Sequence, residues 1–245
     1  MPDRRILRIS GTDNEAFLQG LVTNDLDRLS EGLIYAALLT PQGKLIADFF
    51  LKRDGDDILL DVSESLAADL QKRLSMYKLR ADVTIAEAGL NLQRGTGPAP
   101  EGALSDPRHA DLGWRAYSSA PEGDDGTDWD AIRVANCIPE SGVELTQDSY
   151  VLEAGFEALN GVDFRKGCYV GQEVTARMKH KTELRKGLRV VEVSGEALAG
   201  TAITTADDKP VGTLHTRSGN RAIAYLRLDR ATGPLMAGSA RVTLV

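Results

Sequence analysis

One stretch of the chain concentrates residues that can do chemistry. It runs Arg165-Lys166-Gly167-Cys168-Tyr169-Val170-Gly171-Gln172-Glu173. Cys168 follows a glycine and precedes a segment, Gly171 to about Glu183, whose pattern predicts a helix. A thiol at a helix N-terminus sees the positive end of the dipole, and Lys166 adds charge. Both favour the thiolate, which is the nucleophile and the soft-metal ligand. Gly167 and Gly171 carry no side chain and let a ligand approach the backbone. Glu173 and Arg177 stand four apart and can pair across one helical face. The same residues admit plainer readings. A cysteine beside Tyr169 and Val170 also fits a buried small hydrophobe, and Glu173 with Arg177 fits a surface ion pair.

Charge marks the same region. Between Arg165 and Arg189 there are eight Lys or Arg against two acids, inside a chain of net charge −7. Such a run is either a solvated helix face or a docking site for an anionic ligand or protein surface. The negative total argues against general nucleic-acid binding. Two cysteines, Cys137 and Cys168, cannot build a disulfide framework. With three histidines (His109, His180, His215) the chain is expected to hold no metal site of its own. Any metal chemistry would take ligands from a partner. This cysteine usage points to a reducing compartment, the cytoplasm. No apolar run approaches the ~18 residues of a membrane span, and the start MPDRRILRIS lacks the features of a secretory signal.

The 245 residues, 42% hydrophobic and 27% charged, suffice for one large domain or two smaller ones. A strand is expected at Ile6 to Ile9. Thr12-Asp13-Asn14-Glu15 then has capping-box spacing ahead of a short helix that stops at the turn Thr23-Asn24-Asp25. Tyr35 to Leu39 and Leu45 to Lys52 flank Pro41-Gln42-Gly43-Lys44 as a hairpin, and Ile58 to Val62 adds a third strand. Ser63 can cap a helix whose apolar face is Leu66, Leu70, Leu74 and Tyr77. Ala81 to Ala86 reads as a strand. Hairpin-linked strands mixed with helices favour an α+β core over a doubly wound sheet. Residues 95–130 carry Pro98, Pro100, Pro107 and Pro121, and acids at Glu122, Asp124, Asp125, Asp128 and Asp130. They read as a variable solvated loop region around one strand, Trp114 to Ser118, or as an acidic interaction surface. Residues 148–160 are weakly helical. Beyond Lys186, strands at Leu188 to Val193, Ala202 to Thr205, Val211 to His215, Ala222 to Leu226 and Ala240 to Val245 fit a small all-β domain. The expected division is 1–184 and 185–245.

KGCYVGQEVTAR resembles the signature of the YgfZ-type proteins. These are folate-binding members of the GcvT (aminomethyltransferase-like) superfamily, related to the mitochondrial factor that acts late in iron–sulfur cluster assembly. FLQGLVTNDL (17–26), LLTPQGKLIADF (38–49), YKLRADV (77–83) and KPVGTLHTRSGNRAIAYLRLD (209–229) extend the resemblance over nearly the whole chain. It implies a GcvT-like folate-binding core followed by a C-terminal β-barrel. It implies tetrahydrofolate or a derivative as cofactor, and iron–sulfur carrier or client proteins as partners. Cys168 and Asp48 are then the reactive groups. Tyr35, Asp48, Lys166, Gly167, Tyr169, Gly171, Gln172, Glu173 and Arg177 are expected around the folate. Where the aminomethyltransferases carry an Asp-Asp pair, this chain has Ala47-Asp48. Where they carry a pteridine-gripping glutamate in an R-x-E-A-G run, it has Arg133-Val134-Ala135-Asn136-Cys137, and the acid is missing. Three functions follow: an iron–sulfur assembly or repair factor with Cys168 as the essential thiol, a folate-dependent one-carbon transferase or demethylase using Asp48, and a scaffold that has lost folate.

Overall fold

The computed structural model describes residues 3–121, 123–181 and 183–245. Glu122 of the acidic run and Thr182 of the expected helix lie outside them. The chain divides into two compact units, Met1–Thr127 with Glu157–Val174, and Asp128–Phe156 with Thr175–Val245.

The first unit contains β1 (Arg4–Ser10), α1 (Asn14–Gln19), β2 (Ile34–Leu39), β3 (Leu45–Asp54), β4 (Asp57–Ser63), α2 (Glu64–Tyr77), β5 (Thr84–Glu87), β6 (Asn91–Gly95), β7 (Leu104–Ser105), β8 (Trp114–Ser118) and β9 (Gly123–Asp124). β2-β3-β4-β1-β5 form one antiparallel sheet, and β7-β8-β6-β9 a second sheet, mixed because β6 and β9 run parallel. The larger sheet is covered on both faces, so its central strands read as near-continuous apolar runs. Side chains alternate between faces. Leu38, Ala47, Phe49, Leu51, Leu60 and Val62 pack into a core with Leu18 of α1 and Leu70 and Leu74 of α2. The intervening positions place Tyr35, Asp48, Phe50 and Asp61 on the opposite face. The register sets Phe50 against both Tyr35 and Asp61, and Asp48 against Ala37.

Several local expectations shift. Asp13 sits at the N-cap of α1 without a side-chain cap bond. The Thr12 hydroxyl instead donates to Asp82 Oδ2, and Asp13 Oδ2 accepts from the Asp82 backbone, so the capping-box residues tie two loops together. Ser63 precedes α2, but its hydroxyl pairs with that of Ser65 and caps nothing. The strand expected from Ala81 starts at Thr84, because Lys78 and Ala81 close a turn first. Residues 151–160 are turns and not a helix.

The second unit holds α3 (Trp129–Ala135) and a closed six-stranded barrel of β10 (Lys186–Ser194), β11 (Ala202–Thr205), β12 (Pro210–Ser218), β13 (Arg221–Arg227), β14 (Leu235–Ala237) and β15 (Ala240–Leu244). β10 pairs with both β13 and β15, which closes the barrel and leaves no edge. Val191, Ile203, Leu214, Leu226, Leu235 and Val242 fill it. α4 (Gln172–Lys181) starts in the first unit and ends in the second. The α+β class and the C-terminal barrel agree with the sequence reading. Residues 128–156 cluster with the barrel, although the sequence pattern groups them with the core.

Candidate functional site

Two groups of expected site residues lie in the first unit, and they differ in kind. The first is the connector that carries Cys168. Residues 160–166 are pinned to the loop after α1 by buried polar side chains. Thr23 Oγ1 donates to Gly161 O at 2.7 Å and accepts from Ala37 N at 2.9 Å. Asn24 Nδ2 donates to Tyr35 O and to Asn160 O, each at 2.7 Å. The residues read from sequence as a simple turn are therefore buried fasteners. Lys166 completes the set. Its Nζ donates to Gln19 O, Val22 O and Asn24 O at 2.9, 2.6 and 2.8 Å, and lies 5.4 Å from the Tyr169 ring centroid. The three N–H donors of the ammonium meet one carbonyl each. Burial lowers the Lys166 pKa to about 8, while Asp25 and Asp163 oppose the fall.

This corrects the expected role of Lys166. Its charge points inward at carbonyl oxygens, because the turn after α1 leaves those acceptors without helical partners. Tyr169 is buried too, whereas Gly167 and Cys168 are exposed. The helix-dipole argument also changes. α4 begins at Gln172, so Cys168 lies four residues ahead of it, beyond the first turn where the dipole acts. Gly171 has a structural reason. It adopts φ +83°, and a Cβ there would meet Thr40 O at 2.6 Å. Gly43, at φ +76° in the β2–β3 turn, abuts Val174 in the same way. The two glycines let the start of α4 close onto the hairpin, so Gly171 serves packing and not ligand approach. Gly167 has open space around its Cα. Gln172 Nε2 donates to Gly167 O at 3.4 Å. Glu173 and Arg177 are exposed, and Arg177 belongs to the second unit.

The second group occupies the polar face of the large sheet. Tyr35 is fully buried, and its hydroxyl donates to Asp48 Oδ2 at 2.9 Å. Burial, reinforced by Asp48, pushes the phenol well above its usual pKa. Around this pair lies a charge network that the sequence reading missed. Arg108 grips Asp106 with Nε at 3.0 Å and Nη2 at 2.8 Å. Arg115 donates to Asp61 Oδ2 at 2.6 Å, and Arg4 donates to Asp61 Oδ1 at 2.7 Å. The Phe50 ring lies 4.0, 4.8 and 5.7 Å from the guanidinium carbons of Arg115, Arg108 and Arg4. Burial alone would raise the Asp61 and Asp106 carboxyls; the arginines outweigh it and hold both below the usual carboxylate range. The available signal was the single acid, Asp61, in the otherwise apolar run Ile58 to Val62. Asp106 and Arg108 were hidden inside the stretch read as variable loop.

The pteridine position expected at Tyr35 and Asp48 does not fit a tetrahydrofolate as these residues stand. The Tyr35 ring has no exposed area. It stacks near Phe50 at 5.2 Å and has the Arg108 guanidinium 5.5 Å from its centroid. Tyr35 borders a cavity of ≈ 430 Å³ with Asn24, Ile34, Ser105 and Asn160, but Asp48 does not line it. Cys168 lines neither that cavity nor the neighbouring one beside Arg108. Tyr35–Asp48 and Cys168 are thus two places and not one constellation. In the second unit, Ala135 ends α3, and Arg133 is buried with Glu144 and Ile138 O as partners. Cys137 takes a left-handed backbone (φ 52°), a conformation suited to glycine, and burial raises its thiol to about 11.

Comparison with known proteins agrees with this architecture. The family model of the CAF17 C-terminal beta-barrel domain matches residues 185–245. The glycine cleavage system aminomethyltransferase T from Bartonella henselae superposes with a TM-score of 0.76, covering 99% of this chain and 82% of its own at 12% identity. That shows a shared GcvT-like fold. The mitochondrial iron–sulfur cluster assembly factor IBA57 homolog of Mycosarcoma maydis is 33% identical over 82% of this chain, which spans 57% of that relative's length. The mitochondrial iron–sulfur cluster assembly factor IBA57 of Homo sapiens is 31% identical over 95% of this chain and 78% of its own length. The chain belongs to the IBA57 family.

Proposed function

We propose that this protein serves the assembly or repair of iron–sulfur proteins by presenting the Cys168 thiol to a cluster carried by a partner. One observation supports the reading above others. The KGCYVGQE run buries Lys166 and Tyr169 and leaves Gly167 and Cys168 between them in solvent. A buried cysteine would be inert packing; an exposed one, held between two anchored residues on a glycine-flanked connector, can meet a macromolecular partner. Thiolate is the natural ligand of iron–sulfur clusters. Among the described residues no three His, Cys, Asp or Glu come together as a metal site. In this reading the cluster is cargo, and its other ligands come from the carrier or client protein.

The KGCYVGQE run supports reading this chain as one of the YgfZ-type branch. Both cysteines are free. An exposed free thiol suits a reducing compartment, and the proposed location is the cytoplasm; the mitochondrial label belongs to the relatives' names. No helix of the described residues is long and apolar enough to cross a membrane. A one-carbon transferase would need Asp48 open to a folate. With Asp48 bonded to Tyr35 and only 4% exposed, no folate step is assigned.

The test is complementation of a bacterial strain lacking its YgfZ-type protein. Wild type should restore the activities of cluster-containing enzymes, and Cys168→Ser should not, at equal protein level. Full rescue by Cys168→Ser would end the proposal.

A further inference from the structure

The pair Tyr35–Asp48 has the chemistry of a binding site, an aromatic face beside a carboxylate, but its ring face is already taken. A guanidinium is planar and stacks on aromatic rings as a flat heterocycle does. Arg108 holds this position with its side chain only 10% exposed, against both Tyr35 and Phe50. It is fixed there by the two-pronged pair with Asp106, whose carboxylate also accepts the Arg108 backbone N–H at 3.0 Å.

The segment bearing Arg108 is unusual in its surroundings. Ser105 and Pro107 form a wall shared by two cavities. One, of ≈ 430 Å³, borders Tyr35; the other, of ≈ 620 Å³, borders Arg108 and Trp114. Space on both sides means that the wall has few packing contacts to lose when it or its side chains move. Asp106 N donates to Gly113 O at 2.9 Å, and Asn160 Nδ2 donates to Pro107 O at 2.9 Å.

We infer that Arg108 is an internal stopper: it occupies the ring face of Tyr35 and excludes reduced folates and other flat heterocycles from it, and its removal opens that face to the ≈ 620 Å³ cavity that Arg108 borders. The ion pair with Asp106 is what an incoming ring would have to break, and stacking on Tyr35 alone does not offset the loss of a buried pair. Removing the arginine does not strand Asp106. Its carboxylate keeps Arg115 Nη1 at 3.4 Å and the backbone N–H of residue 108. The inference does not depend on the Cys168 reading, because it concerns ligand binding in vitro and that reading concerns cluster enzymes in cells.

Titration calorimetry of the full chain with 5-formyltetrahydrofolate tests it, with thermal melts confirming that each variant is folded. Wild type should give no saturable heat through the millimolar range. Arg108→Ala should bind at least about tenfold more tightly, the contribution of one aromatic stacking partner. Arg108→Met, which keeps the volume and removes the planar charge, serves if the alanine variant unfolds, and it should gain affinity in the same direction. Saturable wild-type binding in the micromolar range would overturn the inference, and so would a folded Arg108 variant with no gain.

Discussion

The polar face around Asp61 and the connector around Cys168 both collect chemistry-bearing residues, yet they spend them in opposite ways. On the sheet, three arginines, two aspartates, a tyrosine and Asp48 satisfy one another in the interior. On the connector, Lys166 satisfies backbone carbonyls so that its neighbour Cys168 can stand in solvent. The comparison teaches that reactive side-chain types do not by themselves mark a reactive site. What separates the two places is whether the groups have consumed each other's hydrogen bonds and charge. The sheet network is closed, and substitutions there should show in stability. The connector is open at one atom, and substitution of that atom should show in function alone.

The sharpest way to break this contrast is Asp61→Ala. It takes from the buried guanidinium of Arg115 its 2.6 Å carboxylate partner, leaving only the longer 3.4 Å contacts to Asp106 and Tyr117, and leaves Arg4 with less opposing charge. Loss of one member of a buried pair costs about 4 kcal/mol, so urea denaturation should find the variant near or past unfolding. Acid titration sharpens the point. The Asp61 and Asp106 carboxyls titrate lower in the folded chain than in the unfolded one. Their contribution is therefore complete above the unfolded value of about 4 and drains away as pH falls through the folded values. Wild-type stability should decline on that acid limb, and Asp61→Asn, compared at about pH 7 and about pH 3, should decline less.

Lys166→Ala comes next. Three carbonyls lose their ammonium at once, and unsatisfied buried acceptors make the cost about 3 kcal/mol. Unlike Asp61→Ala, it should also loosen the connector, so that hydrogen exchange of residues 163–171 rises before the sheet melts. Tyr35→Phe is milder. It removes one hydrogen bond to a buried carboxylate, about 2 kcal/mol, and leaves the ring stack with Phe50 in place. A fall in melting temperature with unchanged near-ultraviolet dichroism is the expected pattern.

The sequence was a good guide where period and turn chemistry were local. Tyr35 to Leu39, Leu45 to Lys52 and Trp114 to Ser118 came out as strands within two residues of their observed ends, because apolar runs bounded by Pro, Gly and Asp leave little choice. Ala202 to Thr205 matched fully, while β14 was missed because three residues between Pro234 and Gly238 carry no readable period. The site was less legible. Exposure of Cys168 depends on where Lys166 turns, and that direction is set by carbonyls more than 140 residues earlier in the chain. Spacing cannot show this. Lys166 looked like a charge for the thiol because the two are two residues apart, but tertiary acceptors claimed it first. The Arg108–Asp106 pair was invisible for a related reason. Proline-rich sequence reads as solvated loop, while this loop folds its charges under a sheet.

The smallest expected change in stability belongs to Cys168→Ser, and it carries the most information. An exposed side chain with open space at Gly167 has little packing to lose, so the variant should match wild type within about 0.5 kcal/mol in urea. Thiol and hydroxyl differ little in size, but only the thiol yields a soft anion near neutral pH. Reaction of the folded wild type with a thiol reagent should label Cys168 fast and Cys137 slowly, since burial raises the Cys137 thiol to about 11 and half-covers it. Were Cys168→Ser to destabilise the fold by several kcal/mol, the sulfur would be part of the packing, and the contrast between a closed interior and an open connector would fail at the atom on which it turns.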